Sequence, residues 1–236
     1  MKLTPEQIEH LYLFTRQHFV EYYDLQTELV DHLANGIEQQ WQTSPNISFD
    51  EALNNEFKKF GIFGFMDVVE KRSLALGKKY MKIIWTHFKA FFKVPKIFMT
   101  LFLIFMTYQL LVIIPYKNTV IVGGFVVLIT FAIFKVIQYK KQYKRKVKAT
   151  GKKWMLEDLI RRFGNFPLFL SLLVNSIVQL IGSKSIQSEN TTILLVFSII
   201  LVLVTLLSYV LFYIIPQKAE QYLMEHYPEY KLDELI

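Results

Sequence analysis

The sequence predicts an all-α integral membrane protein, in which a small N-terminal helical bundle precedes four transmembrane helices. Its 236 residues are 53% hydrophobic, whereas a soluble globular domain usually has about 45–50%. The surplus lies after residue 96, in four long apolar blocks. About 20 apolar residues of helix cross the ~30 Å of hydrocarbon in a bilayer. Each block is therefore predicted to span the membrane: 97–114, 120–137, 166–181 and 193–215.

The distribution of lysine and arginine around these blocks predicts the orientation. Most of them lie in the basic, aromatic connector 78–96 and in the central loop 138–165, whereas the two short turns hold only Lys117 and Lys184. Cytoplasmic loops carry the excess of Lys and Arg. The sequence thus predicts a multi-pass protein of the bacterial inner membrane, with the N-terminus, the central loop and the tail 216–236 in the cytoplasm.

The net charge of +7 conceals an acidic head and a basic remainder. The head, residues 1–77, holds six Lys or Arg and twelve Asp or Glu, which gives it a net charge of −6. Cations beside an anionic leaflet gain about 1 kcal/mol each. Eight residues of the central loop are therefore predicted to lie on anionic lipid: Lys140, Lys141, Lys144, Arg145, Lys146, Lys148, Lys152 and Lys153.

Nucleic acid is an alternative partner for this basic run, KKQYKRKVKATGKK. Lysine interleaved with tyrosine could follow phosphates and stack on bases. However, the run lies directly beside a predicted span, where the positive-inside rule already accounts for it. We therefore predict membrane lipids as partners and no nucleic acid.

Capping residues and apolar periodicity predict the first half of the head. Thr4 is a predicted N-cap, Pro5 fits the first helical position, and Gln7 completes a capping box for a helix that runs to about Phe19. Asp24 is predicted to cap a second helix. Its buried stripe recurs every four residues: Leu25, Leu29, Leu33, Ile37 and Trp41.

A third and a fourth helix complete the predicted bundle. Ser48 and Glu51 form a second capping box. The apolar side of the third helix is predicted to consist of Phe49, Leu53, Phe57 and Phe60. Gly61 is expected to end this helix in a left-handed conformation, and the fourth helix begins at about Phe65.

Three short motifs follow one another in the head: ELVDHL at 28–33, SFDEA at 48–52 and FG at 60–61. Residues 20–61 thus resemble the cytosolic helical prefix domains of the HAAS and permease-prefix type, in which E-L-x-D-H-L precedes S-x-E-E-A and a closing F-G. The resemblance implies regulatory or adaptor work at the inner membrane and no catalytic residues. The whole chain also resembles uncharacterised small membrane proteins of Bacteroidota.

Asp24, Glu28 and His32 are spaced by four residues and would share one helix face. Two carboxylates and an imidazole could contribute to a metal site, as in helical bundles that hold two metals. One face of one helix supplies too few ligands for a closed site. The favoured interpretation has Asp24 as a cap, Glu28 in water and His32 at the border of the core, with no metal.

The sequence favours a protein without enzymatic activity or cofactor. It has no cysteine, and we find no catalytic triad, phosphate-binding loop or zinc signature in it. An enzyme acting on lipids would have only Glu157 and Asp158 at the inner interface. Asn175 and Gln179, one turn apart in the third block, are interpreted as hydrogen-bonding groups between helices.

The predicted function is that of a non-enzymatic inner-membrane adaptor or regulatory protein, whose head binds a protein partner. The predicted contact residues are Tyr22, Tyr23, Asp24, Glu28, Asp31 and His32. The competing hypothesis is a small oligomeric transporter or channel, or an accessory subunit of a membrane complex. Such a transporter would need at least a dimer, because four spans form a thin bundle. Finally, the acidic tail is predicted to contact the basic central loop.

Overall fold

The computed structural model describes residues 2–162 and 191–227, together with positions 170, 171, 174, 175, 178 and 230. This part of the chain is all-helical and contains no β-strand. It divides into two compact units. The first comprises Met1–Lys79, Lys146–Asp158 and His226–Ile236, and the second comprises Tyr80–Arg145 and Leu159–Glu225. The acidic head therefore shares its unit with parts of the predicted central loop and tail.

The head part of the first unit contains α1 (Pro5–Gln17), α2 (Tyr23–Thr43), α3 (Phe49–Lys58) and the beginning of α4 (Met66–Lys89). α1 packs on α2, and α2 packs on α3. The predicted capping box of α1 is confirmed, since the Thr4 hydroxyl accepts the Gln7 N–H and the Gln7 side chain accepts the Thr4 N–H. Ser48 caps α3 by accepting the N–H of Glu51.

The stripe of α2 forms the centre of the core of this unit, as its four-residue period predicts. All five of its residues are buried: Leu25, Leu29, Leu33, Ile37 and Trp41. Further buried side chains come from α1, from the connection between α1 and α2, from α3 and from the turn before α4: Leu11, Val20, Ala52, Leu53 and Phe65.

The predicted apolar side of α3 is only partly correct. Leu53 is buried, but the three phenylalanines are only half-buried. Glu56 takes their place in the interior, at 2% exposure. Its carboxylate is satisfied there, because Oε1 accepts hydrogen bonds from Gln40 Nε2 and Lys59 Nζ, both at 2.6 Å. A carboxylate with two donors can be buried where an unpaired one could not.

The turn between α3 and α4 depends on two glycines with positive φ. Gly61 has φ +78° and Gly64 has φ +54°, a region that other residues rarely adopt. Gly61 is left-handed as predicted, although α3 itself ends at Lys58. The turn is fixed by Phe65, which is 1% exposed and whose ring lies 4.9 Å from that of Phe57.

The second unit contains the end of α4, a short helical turn at Ala90–Phe92, α5 (Lys96–Ile113), most of α6 (Lys117–Thr150), part of α7 (Met155–Arg162), α8 (Thr191–Tyr209) and most of α9 (Ala219–His226). α5 packs against α8. The basic stretch 138–150, predicted to belong to a loop, is a continuation of α6. Its Lys, Arg and Gln residues are strong helix formers, and the helix ends just before Gly151, whose φ is +67°.

The described residues contain three helices that are long and apolar enough to cross a membrane: Lys96–Ile113, Lys117–Thr150 and Thr191–Gln217. They correspond to the first, second and fourth predicted spans. The third predicted span, 166–181, lies largely outside the described residues. Apolar side chains on α5 and α6 are largely uncovered within the chain, as lipid-facing residues would be; Phe102 and Val127, for example, are 60% and 67% exposed.

α8 widens at its C-terminal end into a π-helical turn, Val210–Ile214, before it continues as Ile215–Gln217. The cause is Pro216, which has no N–H to donate to the carbonyl of Phe212 four residues earlier. That carbonyl instead accepts the hydroxyl of Tyr139, at 3.1 Å. A polar group in an apolar helix is thereby satisfied by a neighbouring helix.

Candidate functional site

The start of α2 carries a docking strip, residues 21–24, that binds the central segment, residues 146–158. The N–H of Tyr23 donates to the carbonyl oxygen of Lys153 at 2.7 Å. The ammonium of Lys153 in turn lies 2.5 Å from Glu21 Oε2. The first N–H groups of a helix have no partner within that helix, so the central segment satisfies a donor that α2 leaves free.

Asp24 is the second part of this strip, and its predicted role as the cap of α2 is wrong. The N-cap is Tyr22, which is extended and makes no side-chain capping bond. The Asp24 carboxylate instead caps α7, because Oδ1 accepts the N–H of Met155, the first residue of that helix, at 3.1 Å. Its other oxygen accepts the hydroxyl of Tyr227 at 2.7 Å. One carboxylate thus holds both the central segment and the tail on the head.

Burial and hydrogen bonding determine where the protons lie in this cluster. Burial raises the pKa of Asp24, while the donors Tyr227 and Met155 and the charge of Arg72 act in the opposite direction. Burial and the Asp24 carboxylate raise the pKa of Tyr227. The phenol therefore keeps its proton and donates it to a carboxylate acceptor.

Two buried acids of α7 also belong to the first unit. Glu157 and Asp158 are 1% and 4% exposed. Tyr22 donates its hydroxyl to Asp158 Oδ2 at 3.1 Å, and Lys146 Nζ lies 3.3 Å from Glu157 Oε1. The only acids that the sequence offered to an enzyme acting on lipids are thus both buried, and both contact other parts of the first unit.

Trp154 connects the strip to the tail through ring contacts. It is 3% exposed, and its ring centroid lies 5.4 Å from that of Tyr23, 4.9 Å from that of Tyr227 and 5.4 Å from that of Tyr230. The ammonium of Lys146 lies 4.6 Å from the centre of the Tyr230 ring and also bonds to its hydroxyl. This cluster buries one large aromatic side chain among three others, an arrangement that favours stable packing.

The predicted contact between the tail and the central loop is present at Lys146, although an aromatic residue rather than an acid makes it. Tyr230 contacts Lys146 with both its ring and its hydroxyl. In α9, Glu225 accepts a hydrogen bond from Gln221. The last three acids of the tail lie outside the described residues: Glu229, Asp233 and Glu234.

The six residues predicted to bind a partner divide into two groups. Three form part of the docking strip and contact the central segment or the tail: Tyr22, Tyr23 and Asp24. Three lie further along α2 and are exposed: Glu28, Asp31 and His32. Glu28 lies 3.7 Å from Arg72, and the ring of His32 lies 5.5 Å from that of Phe60. Binding of a partner to these residues stays a prediction.

The eight basic residues predicted to lie on lipid also divide into two groups. Five are exposed on α6: Lys140, Lys141, Lys144, Arg145 and Lys148. Three contact residues of the first unit: Lys146, Lys152 and Lys153. Of the two predicted interhelical amides, Asn175 is helical and exposed, and Gln179 lies outside the described residues.

The metal hypothesis for the face of α2 gains no support from the geometry. Asp24 is turned to Met155 and Tyr227, and Glu28 to Arg72. Within residues 2–162 and 191–227, no three His, Asp or Glu side chains come together as a metal ion would require.

His226 adds a titratable group beside the docked tail. Its Nδ1 lies 2.8 Å from Lys79 Nζ. Because the ammonium can only donate, Nδ1 accepts this hydrogen bond and the ring is neutral. Nε2 is buried and has no hydrogen-bond partner among the described residues. Burial, followed by the charges of Lys79 and Arg72, lowers the pKa of His226.

We expect the docking of the tail on the head to weaken as the pH falls from about 7.5 to about 5.5. A lowered pKa means that the docked tail binds a proton less readily than the released tail. Docking is therefore strongest above the ordinary His pKa of 6.5 and weakens as the pH falls through it. Hydrogen exchange at residues 226, 227 and 230, corrected for the intrinsic rate, should rise several-fold over this range.

His226→Gln is the control for this effect, because the glutamine side chain can still accept a hydrogen bond from Lys79 but does not titrate. The pKa of Asp24 is raised in the docked state, so protonation of Asp24 at lower pH strengthens docking, the opposite of the His226 effect. The variant retains this contribution of Asp24. If the variant shows the same rise in exchange as the natural chain, His226 is not its cause.

The fold and the site together define a class: an all-helical chain with helices able to cross a membrane and a helical head that binds other segments of its own chain. In comparisons with family models, with curated proteins and with solved structures, the chain matches none.

Sequence reasoning missed two partners of the docking strip, namely Met155 and Trp154. It left open whether Tyr227 lies on the membrane or packs on the head, and the structure places the Tyr227 hydroxyl on Asp24. One signal was available. Large aromatic residues occur in stretches that are otherwise charged, and aromatic residues in such places are often buried. The pairing with α2 itself could not be predicted, because more than a hundred residues separate the two sides.

Proposed function

We propose that the protein is a non-enzymatic adaptor or regulatory protein of the bacterial inner membrane, whose cytosolic head binds a protein partner. The observation that supports this proposal is the docking strip. Four consecutive residues of the head, 21–24, each contact the central segment, and one of them also binds the tail. A domain that binds polypeptide segments of its own chain in this way is suited to a binding role.

The position of these segments in the sequence gives the proposal its regulatory element. The central segment begins in the last turn of α6, the helix that contains the second predicted span, and the tail follows the last span. The head thus binds two segments of the chain, the central segment and the tail, and each of them follows an apolar helix. A change in the spans can reach the head through these contacts, and a partner bound to the head can affect the spans in return.

The proposed topology has four spans, with both termini and the central segment in the cytoplasm. It is supported by the lysine and arginine clusters at 78–96 and 138–165. The exposed cations of α6 are proposed to lie on anionic lipid. The resemblance of residues 20–61 to HAAS and permease-prefix domains agrees with a regulatory role beside the membrane. A protease added outside intact cells should leave residues 1–77 uncut.

Crosslinking of native membranes, followed by mass spectrometry, tests the binding role. We expect lysines of the head, such as Lys2, Lys58 and Lys71, to crosslink to another protein. The competing hypothesis of an oligomeric transporter or channel is tested by reconstitution into liposomes, where we expect no ion flux. Crosslinks between copies of this chain alone, together with ion flux, would refute the adaptor function.

A further inference from the structure

The second unit contains a cationic cluster, which we define as His87, Lys96 and Lys218. These residues come from three parts of the chain: the end of α4, the first residue of α5 and the residue before α9. The apolar helix Lys96–Ile113 begins at one of the two lysines, and the apolar helix Thr191–Gln217 ends just before the other. The cluster therefore lies at the ends of two candidate spans.

Contacts within this unit bring the three residues together. The ring Nε2 of His87 lies 2.6 Å from the hydroxyl oxygen of Tyr222. Tyr222 donates its N–H to the carbonyl oxygen of Lys218 at 3.0 Å, so Lys218 lies one helical turn before it. The ammonium of Lys96 lies 5.3 Å from the centre of the Phe91 ring. Phe91 in turn follows His87 by four residues, in the helical turn that continues α4.

The charges of both lysines act on the imidazole of His87. Burial lowers the pKa of His87, and the charges of Lys218 and Lys96 lower it further. Two ammonium groups are therefore close enough to one ring to disfavour a third positive charge there. The ring is neutral under these conditions, and the positive charge of the cluster resides on the two lysines.

Acidic residues are scarce around the cluster. The second unit consists of two parts of the chain, 80–145 and 159–225. The first part contains no Asp or Glu. The second part contains three acids, Glu189, Glu220 and Glu225, of which the first lies outside the described residues. Neither lysine of the cluster forms an ion pair with an acid of the described part of the chain.

The two described acids lie on α9 and leave the charge of Lys218 unpaired. Glu220 is two residues from Lys218 and two from Tyr222, which places it on the opposite face of the helix. Glu225 accepts a hydrogen bond from Gln221 at 2.9 Å. Its charge acts on Tyr222, whose pKa is raised by burial and then by Glu225. The cluster therefore attracts an anion.

Exposed apolar side chains adjoin the cluster. Val94 and Phe98, two residues before and two residues after Lys96, are 77% and 67% exposed. A cation beside exposed apolar groups fits a ligand that is itself amphiphilic, with an anionic headgroup and hydrocarbon chains. A free phosphate ion would satisfy the charge and leave the apolar side chains uncovered. The arrangement therefore favours a lipid over a soluble anion.

We propose that His87, Lys96 and Lys218 bind the phosphate group of an anionic phospholipid. The lysines supply the charge. The pair of His87 and Tyr222 shares one proton and, in either tautomer of the neutral ring, has one further N–H or O–H to donate to a phosphate oxygen. Basic pockets beside membrane helices bind anionic headgroups in this way. The inference rests on the proposed membrane location, and its residues differ from the exposed cations of α6.

The test uses the full-length chain in a neutral detergent. The chain is titrated with phosphatidylglycerol or with phosphatidylcholine of the same acyl chains, and native mass spectrometry counts the bound lipids. We expect the first phosphatidylglycerol to bind about tenfold more tightly than the first phosphatidylcholine. Lys96→Gln combined with Lys218→Gln should remove this preference. Both side chains are exposed, so the fold does not depend on them.

Lys140→Gln combined with Lys144→Gln is the matched control. It removes the same charge from two exposed positions that lie one turn apart on α6 in the same unit. The affinity for the first phosphatidylglycerol should change by less than about twofold. An equal loss in the two double variants would show a general attraction to a basic protein rather than a site.

The imidazole provides a readout that needs no variant of the lysines. A bound phosphate brings a negative charge that opposes the effect of the two ammonium groups, so the pKa of His87 should rise when phosphatidylglycerol binds. Proton NMR of the histidine rings measures this shift. The pKa of His10, which is exposed on α1, should stay the same.

Three results would overturn the inference: equal affinity for the two lipids, the same loss in both double variants, or an unchanged pKa of His87. Glycerol 3-phosphate carries the phosphate without acyl chains and tests a soluble source. We expect it to displace no bound lipid at millimolar concentration, and displacement would overturn the lipid as occupant. Crosslinks from the head to another protein would still support the adaptor function, so the two failures are distinguishable.

Discussion

Replacement of Asp24 by alanine should release both the central segment and the tail from the head. The carboxylate accepts the N–H of Met155 at 3.1 Å and the hydroxyl of Tyr227 at 2.7 Å, and alanine leaves both donors without a partner. Hydrogen bonds to a charged group contribute about 1.5–3 kcal/mol each. We expect docking to weaken by about 3 kcal/mol, which corresponds to about a hundredfold faster hydrogen exchange in residues 154–158 and at residues 226, 227 and 230.

Asp24→Asn is the matched control for this prediction. Its amide oxygen can still accept the Met155 N–H, whereas its NH2 group faces the Tyr227 hydroxyl as a donor. The tyrosine can accept that hydrogen bond by rotating its own proton away. The neutral amide should therefore cause a smaller loss, of about 1 kcal/mol. Equal exchange in both variants and in the natural chain would show that Asp24 does not hold the two segments.

Replacement of Phe65 by alanine should unfold the head. The side chain is 1% exposed, and its ring lies within about 6 Å of four other rings. Phe→Ala in a core costs about 3–5 kcal/mol. A helical bundle of some 75 residues has a small core, and its total stability is of the order of 5 kcal/mol. Hydrogen exchange of α1, α2 and α3 in the full-length chain measures the loss.

Phe63→Ala is the matched control, because it makes the same chemical change two residues away in the same turn. Phe63 is 70% exposed, so its removal should change the stability by less than about 0.5 kcal/mol. If both variants destabilise the head equally, the assignment of Phe65 as a buried residue and Phe63 as an exposed one is wrong.

Local patterns in the sequence were sufficient for the elements of this protein. The capping box at Thr4, the buried stripe from Leu25 to Trp41 and three of the four apolar blocks depend only on residues within one or two helical turns. Such patterns can be identified without tertiary structure, because caps and periodic burial follow from helix geometry. The continuation of α6 to Thr150 was not predicted, because the basic stretch 138–150 was assigned to a loop although its strong helix formers are uninterrupted before Gly151.

Asp24 shows that local patterns do not identify the tertiary partner of a side chain. Its position before an apolar stripe is typical of an N-cap, and that prediction was wrong by two residues at a helix terminus. The carboxylate caps the distant helix α7 instead. Glu56 shows the same limit, because this charged residue is buried although it lies outside the predicted apolar stripe, and its burial depends on donors from α2 and from the end of α3.

The sequence by itself determined that this chain is helical, where its apolar helices lie, and that an acidic head precedes a basic remainder. Only the tertiary structure decided that residues of the segment 152–158 and Tyr227 bind the start of α2, and that Ile62 and Phe63 remain uncovered beside a buried Phe65. The reason is physical. Helix formation and burial periodicity depend on neighbours a few residues away, whereas the partner of a carboxylate or an exposed ring depends on which distant segments reach it when the chain folds.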